Sequence, residues 1–474
     1  MGGIVKNTLI YTIGRILPQL SGFILLPIYT NYLTPDEYGA IQSMQVIITV
    51  LAIFLSLATE RSMSRLYFDY NDIQEQKKLI GNATLLVLFL SSFCVAIMFL
   101  FKDYVSSIYQ SIPFYPFYYF AILNTYILVF SQLPKVILQV QQKAMTFFIV
   151  SILQFFSGVA FILYFLIISK EGAAGMLKGQ MLGNLVVLPI FLYFILKQSI
   201  FKIRFDMIRS IFSYSLPIVP SLVFAWVMNL SDRIFIERYF SLYDVGIYSL
   251  GYKIAGISAL VTSSFYAAYS PIFYKIANDK SAQNPKEVLR NYNHTYVIIV
   301  IFLSFSIAFV SKEFIAIFLN IKYVDAWKIV NVISFSYLIA AISGLLNLMI
   351  YQEKKTMRML LIIIISASTN TGMNFLIIPA FGAMGAAIAT VTSSLVFFLI
   401  AYVYAKKFYF VSFHWDKILI IILPLIGIAT INFFIEIPNN IISLIIKGLF
   451  LIALMWILFV KNKKQILAIV NSKK

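Results

Sequence analysis

Apolar runs of bilayer-spanning length recur from one end of this sequence to the other. A helix needs about 20 apolar residues to cross a hydrocarbon core. Within that core every backbone polar group must be bonded inside the segment, which favours helices. The chain has 474 residues, of which 61% are hydrophobic and only 12% charged, whereas soluble domains carry about 25% charged residues. The sequence therefore predicts an all-α polytopic membrane protein.

Hydropathy divides the chain into fourteen predicted transmembrane helices. Several contain proline, which removes a backbone hydrogen bond and bends a helix; Pro217 and Pro220 in the seventh are examples. The predicted spans cover residues 8–33, 38–66, 79–101, 114–140, 145–169, 176–197, 208–240, 245–275, 290–310, 328–350, 357–378, 384–405, 417–435 and 441–460.

The positive charges are divided unevenly between the two sides of this predicted bundle. The set of connections that includes both termini holds 25 Lys and Arg, and the alternate set holds 7. Because basic residues collect in cytoplasmic connections, both termini are predicted to be cytoplasmic. This distribution accounts for the formal net charge of +18 without a nucleic-acid partner.

The N-terminal apolar run, Leu9 to Tyr32, predicts a membrane span and not a cleaved signal peptide. It is too long for a signal h-region and is interrupted by Arg15. Cys94 is the single cysteine, so we expect neither a disulfide framework nor a cysteine metal cluster. No cofactor is expected.

Three short segments recur in the same order about 207–211 residues apart, which indicates an internal duplication. The clearest places an acid two residues before a glycine both times, as Glu37 before Gly39 and Asp244 before Gly246. The matched pairs are 32–39 with 239–246, 141–143 with 352–354, and 171–176 with 381–386.

Each repeat holds six spans, so the two halves cross the membrane with the same polarity and a pseudo-twofold axis along the membrane normal is expected. The predicted domains are an N-terminal lobe over 1–205, a C-terminal lobe over 206–406, and two extra helices with a basic tail over 407–474. A cavity between the lobes is expected.

Several motifs resemble those of a known family. They are the segment Leu26-Pro27-Ile28-Tyr29, the turn Leu33-Thr34-Pro35-Asp36-Glu37-Tyr38-Gly39, and Ser231-Asp232-Arg233 followed by Asp244-Val245-Gly246. With them the chain resembles the bacterial O-antigen (Wzx-type) and capsule-precursor flippases of the multidrug/oligosaccharidyl-lipid/polysaccharide superfamily.

The resemblance implies a flippase that is not an enzyme. It would move an undecaprenyl-diphosphate-linked oligosaccharide, an O-antigen or capsular repeat unit, from the inner to the outer leaflet of the bacterial cytoplasmic membrane by alternating access. Membrane lipids are implied as surroundings, and a polysaccharide polymerase and a chain-length regulator as candidate partners.

Arg15, Arg233 and Lys253 lie inside predicted spans, and embedded cations are the strongest signal of function. A cation at a helix centre costs roughly 2.5–3.5 kcal/mol on insertion scales, so it usually faces water or an anion. We therefore predict that the three contact the diphosphate. Snorkelling to headgroups is the alternative for Arg15, and structural pairing with a carboxylate is the alternative for Arg233.

Further binding residues are predicted with an alternative for each. Arg61 would receive the diphosphate at the cytoplasmic end of the second span, or would attract anionic headgroups. Trp226 and Tyr266 would stack on sugar rings, or pack in the core. Lys447 is expected to reach lipid headgroups.

Asp232 and Glu60 are the carboxylates predicted to be embedded in the membrane, away from the outer connections, and therefore the candidates for coupling to a proton or sodium gradient. Transport driven by polymerisation of the exported glycan is left open.

Three other functions compete with this interpretation. A lipid II flippase would also carry a diphosphate. A multidrug antiporter for cations would present acidic groups, whereas this interior has excess positive charge. A membrane enzyme needs positioned acid and base groups, and the short outer connections carry no such set.

Overall fold

The computed structural model describes residues 10–11, 14, 22–279, 284–434 and 437–471. All regular structure in these ranges is helical. In chain order the α-helices are α1 Leu26–Tyr32, α2 Pro35–Ser56, α3 Thr59–Leu66, α4 Ile73–Leu100, α5 Lys102–Ser106, α6 Tyr119–Val140, α7 Ala144–Leu163, α8 Gly172–Gln198, α9 Phe205–Ser215, α10 Val219–Leu230, α11 Asp232–Tyr239, α12 Leu242–Ala255, α13 Ile257–Asn278, α14 Pro285–Phe318, α15 Ala326–Gln352, α16 Thr356–Lys407, α17 Trp415–Phe434 and α18 Asn440–Asn471.

Eleven helices in the described part of the chain are long and apolar enough to cross a membrane. This confirms the all-α polytopic prediction, but not the number fourteen. Met357–Lys407 counts as one candidate span, although the sequence predicts two there. Gly382 interrupts it with φ 55° and ψ −136°, a conformation open to glycine because it has no Cβ.

Three predicted spans are broken into shorter helices, of which the eighth is divided at Gly256 into α12 and α13. The second is interrupted by Leu57 and Ala58, which separate α2 from α3 with φ of 44° and 55°. The left-handed region costs residues with a Cβ roughly 1–2 kcal/mol each, so packing must hold this break in place. The seventh is divided into α9, α10 and α11, with a 3₁₀ turn Leu216–Ile218 containing Pro217.

By packing, the chain separates into two compact units, Met1–Gly246 and Ile247–Lys474. The boundary falls inside α12. The predicted lobes 1–205 and 206–406, with the appendix 407–474, stay predictions, since packing units and sequence repeats are different divisions.

In the first unit, three glycines of α8 bring its backbone against α7 and the helical turn Tyr164–Ile168 that follows it. Gly175, Gly179 and Gly183 are spaced four residues apart and so line one face of the helix. A Cβ on Gly179 would lie 2.7 Å from the backbone nitrogen of Ile162, and one on Gly183 would lie 2.5 Å from Cα of Gly158. Such stripes of small residues allow close backbone packing in membranes.

Gly39 of α2 and Gly246 of α12 form a reciprocal close contact in the same unit. A Cβ on Gly39 would overlap the carbonyl oxygen of Leu242, and a Cβ on Gly246 would overlap that of Pro35. Leu242 and Gly246 stand 207 positions after Pro35 and Gly39, which is the offset of the repeat. A twofold relation between the two turns would produce this exchange of partners.

The second unit has its core among α13 to α17, where Tyr269, Phe273 and Leu345 are buried in one cluster. In the same unit Lys447 is 7% exposed and its Nζ donates to Glu313 Oε1 at 2.6 Å. The expectation that Lys447 reaches lipid headgroups is therefore wrong, because its ammonium is held by a carboxylate of α14.

Candidate functional site

Helix α11 carries a buried charged cluster formed by Asp232, Arg233 and Glu237, each 5% exposed or less. Arg233 Nη1 donates to the carbonyl of Asn229 at 2.9 Å. Glu237 Oε1 accepts the backbone N–H of Ser111 at 2.8 Å. Asp232 begins the helix, where a negative charge is favoured by the helix dipole.

Two buried tyrosines surround Arg233. Tyr38 of α2 and Tyr109 are both fully buried, and the guanidinium lies within electrostatic range of both hydroxyls. The α11 cluster holds two carboxylates and one guanidinium, so it supplies no excess of positive charge. Arg233 as a diphosphate contact, and Asp232 as a coupling group, therefore stay predictions.

Sequence reasoning missed Glu237, because it lies at the outer end of the predicted seventh span, 208–240, and was counted with the connection that follows. A local signal was present: Glu237 stands four positions after Arg233, a spacing that places two residues on the same face of a helix.

Lys253 lies in α12 and is half-buried. No carboxylate among the described residues lies within ion-pair distance of its ammonium. An embedded ammonium without a carboxylate partner is a candidate contact for an anionic ligand.

Trp226 and Tyr266 both make packing contacts. The indole Nε1 of Trp226 donates to the carbonyl of Val46 at 3.1 Å, which joins α10 to α2. Tyr266 of α13 is half-buried and lies beside Gly344 of α15. These contacts support core packing, the alternative given for both side chains. Stacking on sugar rings stays a prediction.

Glu60 and Arg61 lie in α3, directly after the break at Leu57 and Ala58. Glu60 is half-buried, and its Oε2 is shielded with no hydrogen-bond partner among the described residues. Arg61 is exposed. Arg15 lies outside the described residues.

A second embedded ammonium, Lys135 of α6, heads a chain of amides in the first unit. Its Nζ donates to Gln154 Oε1 of α7 at 2.6 Å. Gln154 Nε2 donates to Asn184 Oδ1 of α8 at 2.7 Å, and Asn184 Nδ2 donates to Asn124 Oδ1 of α6 at 2.8 Å. The ammonium also lies 5.7 Å from the ring centroid of buried Phe191.

Lys135 was counted with the cytoplasmic connection 135–143, although the predicted fourth span, 114–140, also contains it. The structure continues α6 through Pro134 to Val140. The predicted orientation stays the same without Lys135, because the remaining Lys and Arg are still concentrated on one side.

The second unit also contains a cavity of about 570 Å³ between α14, α15, α16 and α17. Its lining is mostly apolar, with Ser304, Asn331 and Thr392 among the polar exceptions. No charged side chain lines it, so its chemistry suits hydrocarbon and not a diphosphate.

Among solved structures, three membrane transporters share this fold. The lipid II flippase MurJ in an inward closed conformation matches with a TM-score of 0.73 and 14% identity, over 96% of this chain and 99% of that one. An inward-facing multidrug resistance MATE family transporter of the MOP superfamily gives 0.63 and 14% over 84% and 93%. The Vibrio cholerae MATE transporter VcmN in its bent form gives 0.57 and 10% over 86% and 96%. The fold is thus that of a multi-pass membrane protein.

A sequence profile of the family described as polysaccharide biosynthesis protein matches residues 4–277. The chain belongs to this family. Lsg locus putative protein 1 of Haemophilus influenzae (strain ATCC 51907 / DSM 11121 / KW20 / Rd) is 24% identical over 293 residues, which are 58% of this chain and 67% of that protein. The resemblance to polysaccharide-export members of the superfamily is thereby confirmed.

Proposed function

We propose that this protein translocates an undecaprenyl-diphosphate-linked oligosaccharide from the inner to the outer leaflet of the bacterial cytoplasmic membrane. The glycan is an O-antigen or capsular repeat unit, and movement is by alternating access. At the coarser level, the family and the fold are those of flippases and transporters of lipid-linked substrates. The proposal adds the substrate, the membrane and the direction.

The family match over residues 4–277 is the observation that carries this proposal. The embedded cations support it, because a diphosphate is costly in hydrocarbon unless it is paired. Lys253 and Lys135 are half-buried ammonium groups with no ion-pair partner in the described ranges. Lys253 is thus proposed as a diphosphate contact, together with Arg15, Arg233 and Arg61.

The orientation is proposed from the charge count, with both termini in the cytoplasm. The glycan would pass through a hydrated route in which Trp226 and Tyr266 contact sugar rings. Asp232 and Glu60 are proposed as coupling groups; the Oε2 of Glu60 is shielded and has no hydrogen-bond partner among the described residues.

Lipid II is the second candidate substrate. The similarity to MurJ covers 96% of this chain, and lipid II also presents a diphosphate. The two candidates differ in the head group, so a flippase assay with both lipids separates them. A multidrug antiporter is the further alternative, and the MATE structures share the fold.

Substitution of individual cations with glutamine tests the proposal. Lys253→Gln and Arg233→Gln are expressed in the source bacterium lacking the native chain, and surface glycan and membrane abundance are measured together. We expect Lys253→Gln to lose glycan display at normal abundance, and Lys253→Arg to retain it. The exposed Lys461 supplies the control, as Lys461→Gln. Normal glycan display in every variant would refute the assigned binding site. Normal glycan display in cells that lack the chain would refute the proposed function.

A further inference from the structure

Lys135 is an ammonium group with unused binding capacity inside the membrane-spanning part of α6. It lies five residues before the end of the helix at Val140, about 8 Å along its axis. An ammonium has three N–H donors, and one is used, by Gln154. None of the acidic groups in the described ranges forms an ion pair with Lys135.

The amides around Lys135 are arranged to stabilise its positive charge. Gln154 turns its carbonyl to the ammonium, and each amide donates to the next oxygen, in the order Lys135, Gln154, Asn184, Asn124. Hydrogen bonds in such a chain polarise one another. Dipoles stabilise the ammonium but leave its net charge in place, so an anion at the two remaining donors is still favoured.

We propose that Lys135, with Gln154 behind it, is a binding site for a phosphate carried by a lipid. The inference rests on the proposed function, since the diphosphate of the lipid-linked glycan is the phosphate that this protein would handle. Lys135 belongs to the first packing unit and Lys253 to the second, so each is tested by its own substitution. It would hold the diphosphate near the cytoplasmic end of α6.

The geometry suits a lipid phosphate better than a purely structural lysine. Lys135 is half-buried and has no carboxylate partner in the described ranges, whereas the structural Lys447 is 7% exposed and bonded to a carboxylate. An ammonium is a compact point charge that binds phosphate without a fixed orientation. A diphosphate could therefore bind to Lys135 and leave it in more than one orientation.

The test measures equilibrium binding of undecaprenyl diphosphate to the full chain in nanodiscs of phosphatidylcholine. Lys135→Met should weaken binding at least about tenfold, the effect of losing a charge-assisted hydrogen bond. Gln154→Glu is the decisive variant, because it keeps the acceptor for Lys135 and adds an internal counter-ion, at the expense of the donor to Asn184. It should weaken binding similarly while the thermal unfolding temperature is maintained. The exposed Lys197 of α8 supplies the control Lys197→Met, which should bind as the parent chain does.

Unchanged binding in Gln154→Glu and Lys135→Met, with the parent chain binding normally, overturns the site. Absence of binding by the parent chain overturns it as well. Competition with phosphatidylglycerol identifies the source: displacement at equal concentration shows a site for any lipid phosphate, and resistance shows selection of the diphosphate. A parent chain that binds lipid phosphate at Lys135 but does not support glycan display would refute the proposed function and leave this site standing.

Discussion

Lys447 of α18 and Glu313 of α14 form a buried ion pair, with 2.6 Å between Nζ and Oε1. The same carboxylate oxygen accepts a hydrogen bond from Ser443 Oγ at 2.7 Å, and the ammonium lies 5.2 Å from the ring centroid of Phe309. The last helix is thereby fixed to α14 by charge as well as by apolar packing.

Removing one member of this pair should be costly, because the other charge is left buried without a partner. We expect Lys447→Met to destabilise the protein by about 3–5 kcal/mol, measured as the shift in unfolding of the purified protein. The double variant Glu313→Leu with Lys447→Leu should recover most of this loss. Lys461→Met, at an exposed position of α18, is the control, and equal stability of Lys447→Met and this control would contradict the prediction.

The contact between Gly39 and Gly246 predicts that neither glycine can accept a methyl group. Gly39→Ala and Gly246→Ala should each lower membrane abundance and unfolding temperature, because the added Cβ overlaps a carbonyl of the facing turn. Gly372→Ala is matched in chemistry but has open space around its Cβ. That control should be neutral or slightly stabilising, since alanine is the better helix former by roughly 1 kcal/mol. Identical behaviour of the three variants would show that the two turns separate freely.

Glu237 is expected to stabilise the connection before the fourth predicted span through its bond to Ser111. Glu237→Ala leaves the Ser111 N–H without its acceptor, at a cost of about 1–3 kcal/mol. Glu237→Gln retains an acceptor oxygen and should cost less. Thermal unfolding of both variants in detergent measures the difference, and a glutamine variant as unstable as the alanine variant would point to the charge near Arg233 instead.

We expect His414 to make the folded protein less stable in acid. Its ring lies 5.2 Å from that of His294, and its pKa is lowered below its ordinary value by burial and then by the positive charge of Arg290. The unfolded chain therefore binds a proton that the folded chain resists. The contribution is fully present above the unfolded pKa, about 6.5, and is lost as the pH falls from there towards the folded pKa. Unfolding temperatures between pH 7.5 and 5.5 should fall less steeply for His414→Gln, and equal slopes would exclude this role.

Hydropathy alone was sufficient for the class of fold, since the long apolar runs within the described ranges are helical. It could not locate helix ends near isolated charges. Lys135 was counted with a connection although the predicted span 114–140 and α6 both end at Val140, and Glu313 lies beyond the predicted span 290–310 although α14 continues to Phe318. In each case the charge is tolerated because of a partner distant in sequence: Gln154 for Lys135, and Lys447 for Glu313.

The repeat was visible in the sequence, but the contact that it produces was not. Matching acids and glycines indicated that the turns 32–39 and 239–246 are equivalent. The two turns meet because of the way α2 and α12 cross. The spacing of residues within each turn does not specify that crossing. Helix breaks were only partly predictable: proline marks the one at Pro217, whereas Leu57 and Ala58 give no compositional sign of their left-handed backbone.

The contact between α7 and α8 has a consequence for how members of this family can diverge. Gly183 faces the backbone of Gly158, but a Cβ on Gly158 itself would meet nothing within 4 Å. We therefore expect residue 158 to vary among relatives and residue 183 to stay glycine. No change at 158 could compensate for a larger residue at 183, because the obstacle there is main chain and already has the smallest side chain available.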